Sequence, residues 1–445
     1  MLQSFKSAFK IPELRNRILF TLAILVIYRV GGQVPIPGID RIALREFFSW
    51  ADRTIFGLYD MFVGGAFTRA TVFALGVMPY ISASIIIQLL GAVIPFLQKL
   101  QKEGEEGRKK ITQYTRYGTV ALAAAQSFGV SFFMESLRSP QSGLAVVPDA
   151  GWGFRFLTVV TITAGTVFIM WLGEQIDARG IGNGMSMLIF IGIIARAPWA
   201  VGQEYQDFIT NDKGILLEVF VLVVAVAVTA LVVLITQGTR KIPVQYAKRV
   251  VGRRVYGGQS THIPLKVNTS GVMPIIFAQA IMFLPSTLAG FFPQNEIMQE
   301  LAVAFQPGTT FQSMPYWVLY STMIIFFAYF YTAIVFNPID LADNMKKHGG
   351  FIPGIRPGKR TSDFIDRILT RITLPGSVFL AGIAVFPFFI VSYFGVNPGL
   401  SDFFGGTGLL IIVGVALDTL QQVESHLLMR HYDGFMKKGR LRGRK

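Results

Sequence analysis

The side chains able to do covalent or metal chemistry are few in this chain, and they are scattered. The four histidines, His262, His348, His426 and His431, fall into no zinc spacing. There is no cysteine, so disulfides and thiolate metal sites are excluded. No phosphate-binding loop and no nucleophile motif is present. Charged residues associated with the apolar runs (Arg29, Glu135, Glu174, Asp177, Arg196, Glu218, Glu424) stand at or near the ends of those runs, and Asp418 is the deepest acid. An ion-coupled carrier needs charges near the bilayer midplane. The residues therefore point to a protein without catalysis, cofactor or metal, whose work is non-covalent.

Those residues must be positioned by membrane helices. The chain has 445 residues, is 52% hydrophobic and only 15% charged, and has a mean hydropathy of +0.50. A soluble protein carries charge on about a quarter of its residues. Ten apolar runs of membrane-spanning length are expected at about 18–34, 72–97, 114–137, 154–176, 184–201, 214–237, 271–292, 315–337, 372–394 and 406–428. No small-residue cleavage site follows the first run, so it is expected to stay as a span. The predicted class is an all-α polytopic membrane protein. Its ten helices would fall into two pseudo-symmetric five-helix halves, 1–210 and 211–428, followed by a basic tail, 429–445.

The net charge of +15 is unevenly placed. With ten spans, basic clusters fall on one side: the N-terminal segment, the loop after span two, the loops 238–270 and 338–371, and the tail. Loop 238–270 holds Arg240, Lys241, Lys248, Arg249, Arg253, Arg254 and Lys266 with no acid. The loop after span seven has Glu296 and Glu300 and no Lys or Arg. The positive-inside rule then puts both termini in the cytoplasm. Orientation needs only a few charges, whereas Val250–Lys266 and FIPGIRPGKR (351–360) are long and patterned with Pro, Gly and Arg. A docking surface for a large cytoplasmic partner is expected there.

Three apolar or amide patterns remain. The stretch GVMPYISASIIIQLL (76–90) carries Ile81 and Ile85 on one helical face, small residues Ser82, Ala83 and Ser84 that admit close helix approach, and the amide Gln88. Ile189 and Ile193 repeat the four-residue spacing in span five, Ile276 follows Pro274 in span seven, and Ile411 opens span ten. These isoleucines suit lipid-facing or core packing. They also suit a ring of stiff side chains at the waist of a pore. Gln88, Gln126 and Gln279 suit helix–helix hydrogen bonding or a polar seam able to open sideways. Just upstream, the Gly-broken segment Asp60–Arg69 is too short to span and reads as re-entrant.

At this point the chain resembles the SecY family of protein-translocation channels. The resemblance runs essentially end to end. It is carried by GVMPYISASIIIQLL (76–90), EGRKKITQYTRYGT (106–119), ARGIGNG (178–184), YAKRVVGRRVYGGQSTHIPLKVN (246–268), GVMPIIFAQAI (271–281), FNPIDLADNMKKHGGFIPGIRPG (336–358) and FGGTGLLIIVGVALD (404–418). It implies a protein-conducting channel of the bacterial plasma membrane that passes unfolded secretory polypeptides and releases membrane segments sideways into lipid. It implies a pore ring at Ile81, Ile85, Ile189, Ile193, Ile276 and Ile411, with Met185 as an alternative in span five. It implies a plug at about 57–70, including Asp60, Met61, Phe62, Val63, Gly64, Gly65 and Phe67. Such a plug, short and containing glycine, is expected to be weakly anchored. The implied lateral gate contains Gln88, Gln126, Gln279 and Phe283. The implied docking residues are Lys248, Arg249, Arg253, Arg254, Arg356, Lys359 and Arg360, for a SecA-type motor ATPase and the ribosome. SecE-like and SecG-like membrane subunits, signal sequences, nascent polypeptides and the lipid bilayer complete the implied partners. The alternatives that the residues leave are an inverted-repeat secondary transporter and a membrane scaffold.

Overall fold

A computed structural model describes residues 11–438, apart from 52–59, 61–62, 140–141, 211–213, 247–248, 252–253, 257–259, 283–284, 286–296, 298–299, 301–303 and 306–312. Among the described residues the chain is mostly helical. Seven helices are long and apolar enough to cross a membrane, or eight if one bent pair counts as a span. This is a multi-pass membrane protein. Each of the ten predicted spans contains helix among its described residues, the first in α1 (Pro12–Gly31) and the seventh in α10 (Met273–Met282). Helix α1 carries Arg15, Arg17 and Arg29, which is why composition alone undervalues it.

The chain divides into two compact units. The first comprises Met1–Tyr205, Ala280–Gly308 and Ile411–Lys445. It holds α1, α2 (Arg41–Ala51), α3 (Met78–Val93), α4 (Pro95–Lys102), α5 (Glu105–Ser136), α6 (Trp152–Arg179), α7 (Gly184–Ile194), α8 (Ala197–Thr210, to Tyr205) and most of α15 (Gly406–Lys438). Small residues set its packing. A Cβ on Gly184 would overlap the carbonyl oxygen of Gly173, so α7 and α6 touch backbone to backbone. Ala83 is buried on α3 and would meet a Cβ placed on Gly118 of α5 at 3.4 Å, as the small residues of that stretch predicted.

Span two is not the single helix expected. Residues 72–77 form turns that end on Gly76 at φ +54°, and helix starts at Met78 with Pro79 in its first turn. At the other end Ile94 is extended, Pro95 cannot donate a backbone hydrogen bond, and the chain bends by 104° into α4. The ARGIGNG stretch makes the α6–α7 corner. Its turn is held by Ile181 N donating to Thr21 Oγ1 at 3.0 Å and Gly182 N donating to Gln422 Oε1 at 2.9 Å. The Asn183 side chain then caps α7 by accepting from Ser186 N. Leu14, Ile181 and Val423 pack together beneath this corner.

The second unit comprises Gln206–Gln279 and Thr309–Leu410. Its helices are α9 (Ile215–Gln237), α11 (Met314–Val335), α12 (Pro338–Lys347), α13 (Lys359–Phe394) and α14 (Pro398–Phe404). Helix α9 exposes apolar residues along most of its length, including Leu216, Val219, Leu222, Val226 and Leu234, as a lipid-facing span does.

The basic loops are folded. Strand β1 (Thr239–Tyr246) pairs antiparallel with β4 (Ser260–Lys266), and β5 (Gly350–Phe351) adds to the other edge of β1. Between them β2 (Arg249–Val251) pairs with β3 (Arg254–Tyr256). Ile242 and Val244 alternate inward from β1 and share one apolar core with Leu265, Met345, Ile352, Ile365 and Leu369. The two long loops are therefore joined in one body with the start of α13.

Close packing of α6 on α7 gives a direct test. Gly184→Ala is expected to destabilise the protein by about 1–3 kcal/mol through overpacking. Gly202→Ala, inside α8 where a Cβ meets nothing within 4 Å, is expected to leave the thermal unfolding midpoint unchanged or slightly raised. Equal midpoints for both variants would contradict the backbone contact.

Candidate functional site

The Gly-broken segment after span one is built around a carboxylate. Asp60 is 1% exposed. Its Oδ1 accepts from the backbone N–H groups of Phe67 and Thr68, both at 3.0 Å, and Oδ2 accepts from Thr68 Oγ1 at 2.9 Å. Arg196 Nη1 reaches Oδ2 at 3.3 Å. Gly65 N also donates to the Asp60 carbonyl. A buried charge is tolerable only when paired and fully hydrogen-bonded, and Asp60 meets both conditions. Among the described residues it closes a compact turn over 63–71, continued by Ala70 N to Phe67 O and Thr71 N to Ala66 O.

That turn is seated at several points. Gly64 has φ +70°, and a Cβ there would lie 2.9 Å from Cα of Gly192 on α7. Gly192 lies between Ile189 and Ile193 in sequence, so the turn rests on the helix that carries the predicted span-five pair. Arg29 donates to the Gly64 carbonyl at 3.1 Å. Tyr28 stacks on Phe73, and Val63 fills the space left by the missing side chain of Gly76. Phe67 packs edge-on to Phe48 and stacks on Phe133, which fixes the turn near the C-terminal end of α5. Met61 and Phe62, and residues 57–59, lie outside the described residues. The segment predicted as a plug is thus joined to α1, α2, α5 and α7 by its described residues. The sequence carries the signal only faintly: an Asp inside an apolar stretch, with an arginine near the end of each of two distant spans.

The predicted ring residues are all buried. Ile81 and Ile85 are 6% and 4% exposed on α3, and Ile189 and Ile193 are 3% and 1% exposed on α7. Ile411 of α15 belongs to the same unit, whereas Ile276 of α10 is buried in the second. Met185 lies against Gly173 of α6, one helical turn before Ile189. Of the amides, Gln88 is half-buried and donates to Ser84 Oγ at 3.1 Å, Gln126 is half-buried on α5, and Gln279 is buried on α10. Phe283 lies outside the described residues.

The docking candidates divide likewise. Arg356 is exposed directly after a turn in which Ile355 N donates to Ile352 O, with Pro353 second and Gly354 third at φ +81°. That is type II geometry, which requires glycine at the third place. Thr361 Oγ1 donates to the Arg356 carbonyl at 2.9 Å and ties the turn to α13. Lys359 and Arg360 are exposed in the first turn of α13, where the helix dipole disfavours cations. Arg249 and Arg254 belong to β2 and β3, while Lys248 and Arg253 lie outside the described residues.

The comparisons with known proteins agree with this architecture. A family model described as SecY matches residues 71–420. The chain is 46% identical over 439 residues to the protein translocase subunit SecY of Aquifex aeolicus, a match covering 98% of this chain and all of that one. It is 45% identical over 450 residues to the same subunit of Thermotoga maritima, covering 100% of both. The Escherichia coli (strain K12) subunit is 46% identical over 434 residues, 97% of this chain and 96% of its own. Among solved structures, one titled "The structure of a protein conducting channel" aligns with a TM-score of 0.63 at 17% identity, over 92% of each chain. Sec61 in a canine ribosome–channel complex aligns with a TM-score of 0.61 at 16% identity, again over 92% of each. Those structural likenesses establish the fold, and the sequence matches establish the relationship: the chain belongs to the SecY family.

Proposed function

We propose that this chain is the channel subunit of a bacterial protein translocase. It passes unfolded secretory polypeptides across the plasma membrane and releases transmembrane segments into lipid. The observation that carries the reading is the seat of the plug turn on Gly192, beside Ile189 and Ile193. A glycine-to-glycine contact lets a small closed object rest against the wall of a path without being woven into it. Ile81, Ile85, Ile189, Ile193, Ile276 and Ile411 form the apolar waist, which resists ions by dewetting and yields to a larger chain. Asp60, Val63, Gly64, Gly65 and Phe67, with Met61 and Phe62, form the plug. Gln88, Gln126, Gln279 and Phe283 mark a seam between the halves 1–210 and 211–428 that opens to lipid.

The chain supplies no energy of its own and acts as a channel, not an enzyme. Both termini face the cytoplasm, and so do the β1–β4 hairpin and the Arg356 turn. Arg249, Arg254, Arg356, Lys359 and Arg360, with Lys248 and Arg253, dock a SecA-type motor or the ribosome. The cations at the start of α13 oppose its dipole and support a role other than helix stability. A solved relative is ribosome-bound, which supports the ribosome as one partner. SecE-like and SecG-like subunits complete the membrane complex.

Three outcomes are expected. A photoreactive residue at Ile85 should crosslink to a secretory chain stalled midway through export. A crosslink absent at Ile85 but strong from a lipid-facing control such as Val226 would exclude Ile85 from the path. Asp60→Ala leaves Arg196 without its carboxylate and removes the turn's acceptors. It should weaken the closed plug by about 3 kcal/mol and raise ion leak through resting channels. Arg196→Gln should leak similarly, and the double variant should leak less than the two effects combined. Arg356→Glu should reduce motor-driven export at least ~10-fold, the loss of about one charged contact, with normal membrane assembly. Unimpaired export would remove Arg356 from the docking surface.

A further inference from the structure

We propose that the cavity beside the plug turn is a binding site for a phosphate group. The cavity measures about 780 Å³ and lies wholly within the first unit. Among the described residues five arginines line it, Arg29, Arg41, Arg45, Arg69 and Arg196, against the one carboxylate of Asp60. Three are engaged: Arg29 with the Gly64 carbonyl, Arg69 with Gln33 Oε1 at 2.8 Å, and Arg196 with Asp60. Arg41 and Arg45 stand one helical turn apart on α2, exposed, and make no hydrogen bond or ion pair among the described residues. Their side-chain donors are available for a bidentate oxyanion, the ligand that guanidinium geometry matches best.

The location makes the charge informative. Phe67 places the turn near the C-terminal end of α5, whereas Arg108, Lys109, Lys110 and Arg116 mark the start of that 32-residue helix. The arginine cluster is thus at the end of the unit away from its basic loop, where topology rules favour few cations. Apolar walls from Leu44, Phe48 and Trp199 strengthen any charge interaction inside. The plug supplies Asp60, Gly64, Gly65, Thr68 and Arg69 to the lining. The site is therefore complete only while the plug is seated, and an occupant stabilises the closed channel. A translocating chain enters only after those walls have moved, so a small anion fits better than an acidic polypeptide. This consequence for gating rests on the plug reading above, but the binding itself does not.

The test uses the full-length protein in nanodiscs at constant ionic strength. With phosphatidylcholine, whose choline cation masks its phosphate, inorganic phosphate should bind saturably by calorimetry while chloride does not. Arg41→Gln combined with Arg45→Gln should weaken that binding at least ~10-fold, and Arg41→Lys with Arg45→Lys should restore part of it. Unchanged thermal unfolding of the variants checks their fold. If phosphatidylglycerol nanodiscs abolish the phosphate signal in the parent protein only, the source is a lipid headgroup. If they do not, the source is free phosphate. Absence of saturable phosphate binding in phosphatidylcholine, binding unaffected by the variants, or binding of an acidic peptide in its place would overturn the proposal. The leak caused by Asp60→Ala, measured without phosphate, tests the plug reading separately.

Discussion

A carboxylate that water cannot reach must be answered by the protein, and in this chain Asp60 is answered completely. Two backbone donors, one hydroxyl and one guanidinium converge on its two oxygens. Three of those partners lie within eight residues, so the carboxylate folds its own turn. The fourth, Arg196, is near the end of span five and ties the turn to the helix beneath it. In a membrane protein such irregular backbone survives only where its polar groups are satisfied or face an aqueous path. Asp60 satisfies them locally, and this lets a non-helical segment sit among spanning helices. The ion pair to Arg196 and the Gly64–Gly192 contact fasten the turn at and just beyond α7, while Arg29, Phe48 and Phe133 hold its other sides.

The rest of the first unit is arranged to bring helices close without large side chains. Gly173 and Gly184 touch, Gly118 faces Ala83, and Gly192 receives Gly64. Helix association in lipid lacks a hydrophobic driving force and relies on packing and interhelical hydrogen bonds. Contacts among small residues are therefore sites of tight fit. Gly165 belongs to the same pattern, since a Cβ there would overlap the backbone of Val72, just after the Asp60 turn.

Much of this was legible in the sequence, for definite reasons. Apolar runs of bilayer length locate the spans because lipid imposes length and composition directly. Proline announced the break at Ile94–Pro95 only as a local possibility, and the 72–97 run hid both the break and the non-helical start. The hairpin of loop 238–270 escaped because its inward positions, Ile242 and Val244, are two residues among many basic ones. The anchoring of the Asp60 turn escaped more fundamentally. Asp60 and Arg196 are far apart in the chain, and no local pattern pairs them. The isoleucines were legible as buried residues. A ring would be a property of several helices at once, which spacing within one helix cannot express.

The shared core of the two basic loops has a mechanical meaning. The Arg356 turn is fastened by Thr361 to α13, and α13 continues for 36 residues, a rod about 54 Å long. A partner that pushes on the turn acts on the end of a lever and not on slack chain. Pro375 and Pro387 each remove one donor from the backbone ladder of that rod. A load applied at the exposed turn would be delivered along a helix of the second unit and not into a loose loop.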